Sequence, residues 1–107
     1  MQMFADLNDA TFGDFIRKNK VVLVDFYADW CGPCLVMEPV MEELSQEMKG
    51  KIAFAKIDVD QNRQRPAEYG VMSIPTLLVF RAGKLVDRLV GALPKETLKQ
   101  RLGKFIE

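Results

Sequence analysis

The run from Val21 to Ala28, V-V-L-V-D-F-Y-A, is almost wholly apolar and begins with β-branched residues. Such a run is typical of a central strand that is covered on both faces of its sheet. Asp25 is the one charged residue within it, and alternation along a strand places Asp25 on the same face as Leu23 and Tyr27. The sequence therefore predicts a core strand with a carboxylate in its interior.

The other patterns of the chain alternate between helices and strands. Methionine and leucine recur with helical spacing before Gly50, and glycine is favoured directly after a helix. We predict, in order, a helix around Phe12–Ile16, the strand Val21–Ala28, a helix over Met37–Met48, a strand over Ile52–Val59, a short helical turn at Ala67–Tyr69, a hairpin of Thr76–Phe80 and Leu85–Val90, and a last helix that starts at Pro94 and presents Leu98, Leu102, Phe105 and Ile106. This order implies an α/β domain with a central mixed sheet and helices on both faces.

Length and charge narrow the classes of function. The 107 residues fit one domain, residues 1–107. Fifteen basic and fifteen acidic residues cancel, so nothing indicates a nucleic-acid partner or an anionic membrane. No segment approaches the roughly 20 apolar residues of a membrane span, and the N-terminus lacks the basic region of a secretory signal. We expect a cytoplasmic monomer without a membrane partner.

Two cysteines follow the predicted strand in Trp30-Cys31-Gly32-Pro33-Cys34, and the chain has no others. Residues three apart on a helix have Cβ atoms roughly 5–6 Å apart. A disulfide needs Cα atoms within about 4.4–6.8 Å, so the pair can close or open with little backbone movement. The spacing therefore predicts a reversible two-electron switch, which suits a reducing compartment better than a structural disulfide does.

The chain contains no histidine, which removes the commonest metal ligand and the usual base near neutral pH. Two thiolates are half of a tetrahedral metal site, so metal binding would need two chains around one ion. The methionines between Met37 and Met48 are interpreted as core filling. No glycine fingerprint of a dinucleotide site is present either, and we expect neither a metal nor a cofactor.

The residues suggest distinct roles around the cysteines. Cys31 is the candidate nucleophile, because a helix N-terminus favours its thiolate. Cys34 is the candidate resolving thiol, and we expect it to be deeper and less exposed. Burial should raise the pKa of Asp25, which could then accept the Cys34 proton, although a hydrogen-bonded structural aspartate fits the sequence equally well. Lys56 shares a strand face with Phe54 and is expected to pair with Asp25, or else to pack its stem and extend its head to solvent.

Four stretches closely resemble the thioredoxin family in sequence and in order. They are V-D-F-Y-A-D-W-C-G-P-C-L-V-M-E-P at Val24–Pro39, K-I-D-V-D at Lys56–Asp60, Y-G-V-M-S-I-P-T at Tyr69–Thr76 and V-G-A at Val90–Ala92. The resemblance implies the thioredoxin fold and a general protein-disulfide reductase, with disulfide-containing proteins as substrates and a thioredoxin reductase as the source of electrons. It also favours the functional role of Asp25. For Lys56, its place on the strand face beside Asp25 favours a modulating role over an indispensable one.

The same resemblance implies a substrate-binding surface around the cysteines. It predicts a cis peptide bond before Pro75, beside which an extended substrate segment could add as a strand. The expected apolar rim consists of Trp30, Gly32, Pro33, Met72, Ile74, Pro75, Gly91 and Ala92.

Three positions depart from the family pattern. Leu35 stands where many relatives carry a cation, Glu38 adds a negative charge, and Ser73 replaces a small residue that is often glycine. Two other functions remain open: a disulfide oxidant or isomerase, and a binding module that uses the fold without redox chemistry. A proline between the cysteines at Pro33 fits a reductant, since oxidising relatives usually carry histidine there.

Overall fold

The computed structural model describes residues 4–106, which form five strands and four helices. They are β1 (Ala5–Leu7), α1 (Phe12–Lys18), β2 (Val21–Tyr27), α2 (Gly32–Glu47), β3 (Ala53–Asp58), α3 (Gln64–Glu68), β4 (Thr76–Arg81), β5 (Lys84–Val90) and α4 (Lys95–Gly103). The predicted order from α1 to α4 is confirmed. The strand β1 was not predicted, because a strand of three residues is too short to show an alternating pattern.

The five strands form one mixed sheet in the order β1-β3-β2-β4-β5. The strands β1, β3 and β2 run parallel, whereas β4 is antiparallel to β2 and to β5. The predicted core strand β2 therefore lies at the centre of the sheet. In its register Asp25 lies opposite Lys56 of β3 and opposite Leu77 of β4.

Side chains of β2 enter two separate cores, one on each face of the sheet. Leu23 points towards α2 and α4, where it joins Met41 and Leu98 in one buried cluster. Val24 points the other way, into a cluster that contains Phe12 of α1. Burying each such side chain stabilises the fold by roughly 1.5–3 kcal/mol. The prediction of helices on both faces is confirmed.

The ends of three helices differ from the predictions. The helix α3 begins at Gln64, three residues before the predicted start, and ends at Glu68. The helix α2 ends at Glu47, and the chain then turns through Gly50, whose φ of +83° is readily adopted by glycine. The helix α4 begins after Pro94 and ends at Gly103, so Phe105 and Ile106 are not part of its apolar stripe. They are partly buried and pack against the core that contains Leu98. Apolar spacing continued beyond the helix, which is why the boundary was placed too late.

The sheet topology brings two loops together. The parallel strands β2 and β3 end at the same edge, where Tyr27 lies opposite Asp58. The loop after β2 carries Trp30 and Cys31 into the first turn of α2, and the loop after β3 carries Asp60. Of the helices within residues 4–106, none has the length and apolar character needed to cross a membrane.

Candidate active site

Cys31 and Cys34 form a disulfide at the start of α2, with their Cα atoms 5.2 Å apart. Cys31 caps the helix in an extended conformation, and its Sγ accepts a hydrogen bond from the backbone N–H of Cys34 at 3.2 Å. This N–H is one of the first-turn donors that lack a partner within the helix. The helix start therefore holds the two sulfurs together and directs a backbone donor at the outer one.

Both cysteines are buried, and the predicted difference in their exposure is wrong. Cys31 is 3% exposed and Cys34 is 4% exposed. Ala28 lies in the same buried cluster, and Ile74 packs against it from the loop before β4. The carbonyl oxygen of Ile74 lies 3.9 Å from the Cys31 Sγ. The position of Cys31 at the N-terminal end of the helix suggested that its side chain would be exposed. The loop before β4 covers it instead, through Ile74.

Asp25 lies beneath the start of α2 and is only 2% exposed. Its Oδ1 receives no hydrogen bond from any group within residues 4–106, so no protein donor compensates its burial. Burial, and secondly the charge of Glu38, raise its pKa from 3.8 to about 7, while the charge of Lys56 acts in the opposite direction. The predicted rise in the pKa of Asp25 is confirmed, and its cause is mainly desolvation.

Lys56 does not make the expected ion pair. It lies opposite Asp25 in the register of β2 and β3, yet no ion pair joins the two within the described part of the chain. Its Nζ instead lies 5.4 Å from the centroid of the Tyr27 ring. A cation over an aromatic face is stabilised without leaving solvent entirely, which a contact with buried Asp25 would require.

Three residues of the predicted apolar rim line a groove next to the loop that covers Cys31. Trp30, Met72 and Ile74 share a groove of about 180 Å³ that is also lined by Val59, Val71 and Ser73. Trp30 is 71% exposed and Met72 is 94% exposed, so large apolar surfaces face solvent here. Exposed apolar area of this kind marks an interaction surface.

The remaining residues of the predicted rim lie in the loop before β4, after β5 or at the start of α2. The Ile74–Pro75 peptide bond is cis, as predicted. Gly91 donates its N–H to the carbonyl oxygen of Pro75 at 2.8 Å, with a φ of +89° that suits glycine. Three further members of the predicted rim are exposed, at the start of α2 or after β5: Gly32, Pro33 and Ala92.

Two acidic residues of the site were not among the predicted site residues. Asp60 accepts a hydrogen bond from Trp30 Nε1 at 2.6 Å, and Glu38 lines a crevice together with Asp25 and Cys34. Both had a signal in the sequence. Trp30 and Asp60 follow the ends of two neighbouring parallel strands, and Glu38 lies four residues after Cys34, on the same side of α2.

Comparison with known proteins supports this description of the fold. The thioredoxin family model matches residues 3–104. The chain is 54% identical over 86 residues to thioredoxin from Bacillus subtilis. This match covers 80% of this chain and 83% of that protein. It is 46% identical over 107 residues to thioredoxin 1 from Nostoc sp. This match covers 99% of this chain and 100% of that protein.

A solved structure shows the same architecture. A mutant thioredoxin from Halobacterium salinarum matches with a TM-score of 0.89 at 40% sequence identity, covering 96% of this chain and 90% of that one. The thioredoxin fold expected from the sequence is thereby confirmed. The chain belongs to the thioredoxin family of protein-disulfide oxidoreductases, with Cys31 and Cys34 as its redox-active pair.

Proposed function

We propose that the chain reduces disulfides of other proteins in two exchange steps, at Cys31 and then at Cys34. The observation that carries the proposal is the hydrogen bond from the Cys34 N–H to the Cys31 Sγ, within a cysteine pair close enough to bond. This contact supports Cys31 as the sulfur whose negative charge the helix start stabilises. Cys34 has no such donor at its sulfur among the hydrogen bonds described for residues 4–106.

In the first step, the Cys31 thiolate attacks one sulfur of a substrate disulfide. A bond forms between Cys31 and that sulfur, the substrate disulfide breaks, and the departing thiolate takes a proton from water. The thiolate is the reactive form, and a helix N-terminus lowers the pKa of a thiol. Because Cys31 is 3% exposed, the substrate sulfur must approach across the groove beside Ile74.

In the second step, Cys34 gives its proton to Asp25 and attacks the Cys31 sulfur of the mixed disulfide. The Cys31–Cys34 bond forms, and the substrate leaves as a second thiolate. Support comes from the shared crevice of Asp25 and Cys34 and from burial, which raises the pKa of Asp25 to about 7. A base with a pKa near the working pH is well matched to such a proton transfer.

The substrate is held by the exposed apolar groove between Trp30 and Ile74. An extended segment beside a disulfide can lie across this groove and pair its backbone with the loop before β4. Because the rim is apolar and shallow, it recognises an exposed chain segment rather than one particular side chain. Broad selection of disulfide-containing proteins follows from this kind of surface.

A separate protein must return two electrons to the oxidised pair after each cycle. We propose that a thioredoxin reductase does so, that the chain works as a monomer in the cytoplasm, and that it needs no cofactor of its own. Thioredoxins as a class have reduction potentials of about −270 mV, and we expect this pair to lie near that value. A potential tens of millivolts higher would favour an oxidant or isomerase instead.

Reduction of insulin disulfides by the pre-reduced protein tests the proposal. Cys31→Ser should abolish turnover, because no nucleophile remains at the helix start. Cys34→Ser should still attack insulin but accumulate mixed disulfides that a thiol reagent releases. The double variant, Cys31→Ser with Cys34→Ser, should do neither. Free turnover by either single variant contradicts the scheme, and full biological activity of the double variant would identify a redox-independent binding module.

A further inference from the structure

A narrow crevice under the first turns of α2 connects the buried carboxylate with the protein surface. It is lined by Asp25, Cys34 and Glu38, together with Tyr27, Ala28, Asp29 and Leu35, and has a volume of about 20 Å³. A water molecule needs roughly 10–15 Å³ of such space and a few polar partners. The crevice can therefore hold about one water molecule between the two carboxylates.

The position of Glu38 follows from the helix geometry. Glu38 is four residues after Cys34 on α2, so both side chains lie on the same side of the helix, one turn apart. Cys34 is buried and Glu38 is exposed. Glu38 thus lines the crevice as an exposed residue, whereas Asp25 lines it as a buried one.

The charges that face Asp25 come from three parts of the fold. Glu38 contributes a like charge from α2 and Lys56 an opposite charge from β3, and these shift the pKa of Asp25 up and down respectively. Tyr27, the last residue of β2, and Asp29, which follows the strand, also line the crevice. The neighbour of Asp25 on β4 is the apolar Leu77. Within residues 4–106, Glu38 is consequently the carboxylate that both lines the crevice and raises the pKa of Asp25.

We propose that Glu38 is a positioning residue of the exchange reaction, whose negative charge at the crevice keeps the Asp25 proton acceptor poised. This inference rests on the proposed function. Cys34 transfers its proton to Asp25 as the Cys31–Cys34 bond forms and the substrate thiolate departs. Asp25 then releases the proton through the crevice to bulk water. No electrons move in this proton transfer, and Asp25 returns to its starting state.

Two substitutions at this exposed position separate charge from shape. Glu38→Gln removes the charge and keeps the size, and Glu38→Asp keeps the charge. Glu43→Gln is the matched control, since Glu43 lies on the same helix and its carboxylate contacts Lys95 Nζ at 2.9 Å instead. The first measurement is the titration of Asp25 by carbon NMR of its carboxyl group in the oxidised protein. The second is the pH dependence of mixed-disulfide resolution in single turnover.

In Glu38→Gln the Asp25 titration should move to lower pH, because the repelling charge is gone. From a midpoint of about 7, each unit of downward shift raises the deprotonated fraction of Asp25 at pH 6 by about fivefold. The pH profile of resolution should move in the same direction, whereas Glu38→Asp and Glu43→Gln should resemble the parent.

An Asp25 titration in Glu38→Gln that coincides with the parent would overturn the inference. So would an equal shift in Glu43→Gln, because that would indicate a general charge effect of the helix. Neither result affects the proposed function, which fails if Cys31→Ser or Cys34→Ser turns over freely with insulin. The two proposals can therefore fail independently.

Discussion

Asp25 and Lys56 lie opposite each other in neighbouring parallel strands, yet the Lys56 ammonium lies over the Tyr27 ring, 5.4 Å from its centroid. The cation is near enough to lower the pKa of Asp25 but does not outweigh burial, which raises it to about 7. Asp25 is thereby left half-ionised near neutral pH instead of being fixed as a carboxylate. That state suits a group which must accept a proton and later release it.

Replacing Lys56 by methionine should raise the pKa of Asp25 further, because the one opposing charge is lost. A rise of one unit lowers the deprotonated fraction of Asp25 at pH 7 by about fivefold, so resolution of the mixed disulfide should slow at that pH. Lys49→Met, at an exposed position beyond α2, is the control. Equal rates for parent and Lys56→Met across pH 6–8 would mean that Lys56 has no modulating role.

The buried Asp25 should make the stability of the fold depend on pH. Its pKa is raised from 3.8 to about 7 in the folded state, so the folded protein binds the proton more tightly than the unfolded chain. The free energy of unfolding should therefore fall as pH rises between these values and level off above them. Asparagine does not ionise, so Asp25→Asn should prevent this fall in the free energy of unfolding. The variant should be more stable than the parent at pH 8 by as much as about 4 kcal/mol.

Urea denaturation at pH 4.5 and pH 8 measures the effect. The gain in the free energy of unfolding from Asp25→Asn should be much larger at pH 8. Asp14→Asn is a suitable control, since Asp14 is an exposed residue that pairs with Arg17 at 2.8 Å. If the gain is the same at both pH values, Asp25 does not titrate in this window.

Leu35→Lys should increase the reactivity of Cys31. Leu35 directly follows Cys34 and is 53% exposed. A lysine ammonium beside the thiols favours the thiolate, so alkylation of reduced Cys31 should reach its half-maximal rate at lower pH. The shift should shrink at high salt because the site is exposed. Leu85→Lys, on the exposed strand β5, makes the same chemical change far from the cysteines and should leave alkylation unchanged.

Phe12→Ala should destabilise the fold without changing the chemistry of the disulfide. The Phe12 ring is fully buried and lies 5.6 Å from the rings of Phe80 and Tyr69, on the opposite side of the sheet from α2. Removing such a ring costs about 3–5 kcal/mol. Phe15→Ala, on the same helix but at a half-buried position, should cost clearly less. Equal losses in urea denaturation would contradict the packing described for α1.

Much of the fold could be predicted because it follows from local patterns. The apolar run of β2 and the cysteine spacing are both short-range features, and together they identify the helix start that carries the site. Leu23 and Val24 are buried on opposite faces of the sheet. This placement follows from the alternation of side chains along a strand alone. These predictions needed no knowledge of how distant segments meet.

The features that were missed depend on contacts between distant segments. Cys31 is covered by Ile74, which lies 43 positions later in the chain, and no local pattern reports that contact. Lys56 was expected to pair with Asp25 from strand alternation, but the ring of Tyr27 offered its ammonium a less desolvated position. Register between strands can be anticipated from a sequence, whereas the direction of a long side chain depends on its competing partners.

The most direct test of the account is the alkylation of the reduced protein by iodoacetamide as a function of pH, with the modified cysteine identified by mass spectrometry. We predict preferential labelling of Cys31, with a midpoint below the roughly 8.5 of an ordinary thiol, because its sulfur accepts the Cys34 N–H. Equal labelling of Cys31 and Cys34, or a Cys31 midpoint at the ordinary value, would contradict the assignment of Cys31 as the attacking thiol.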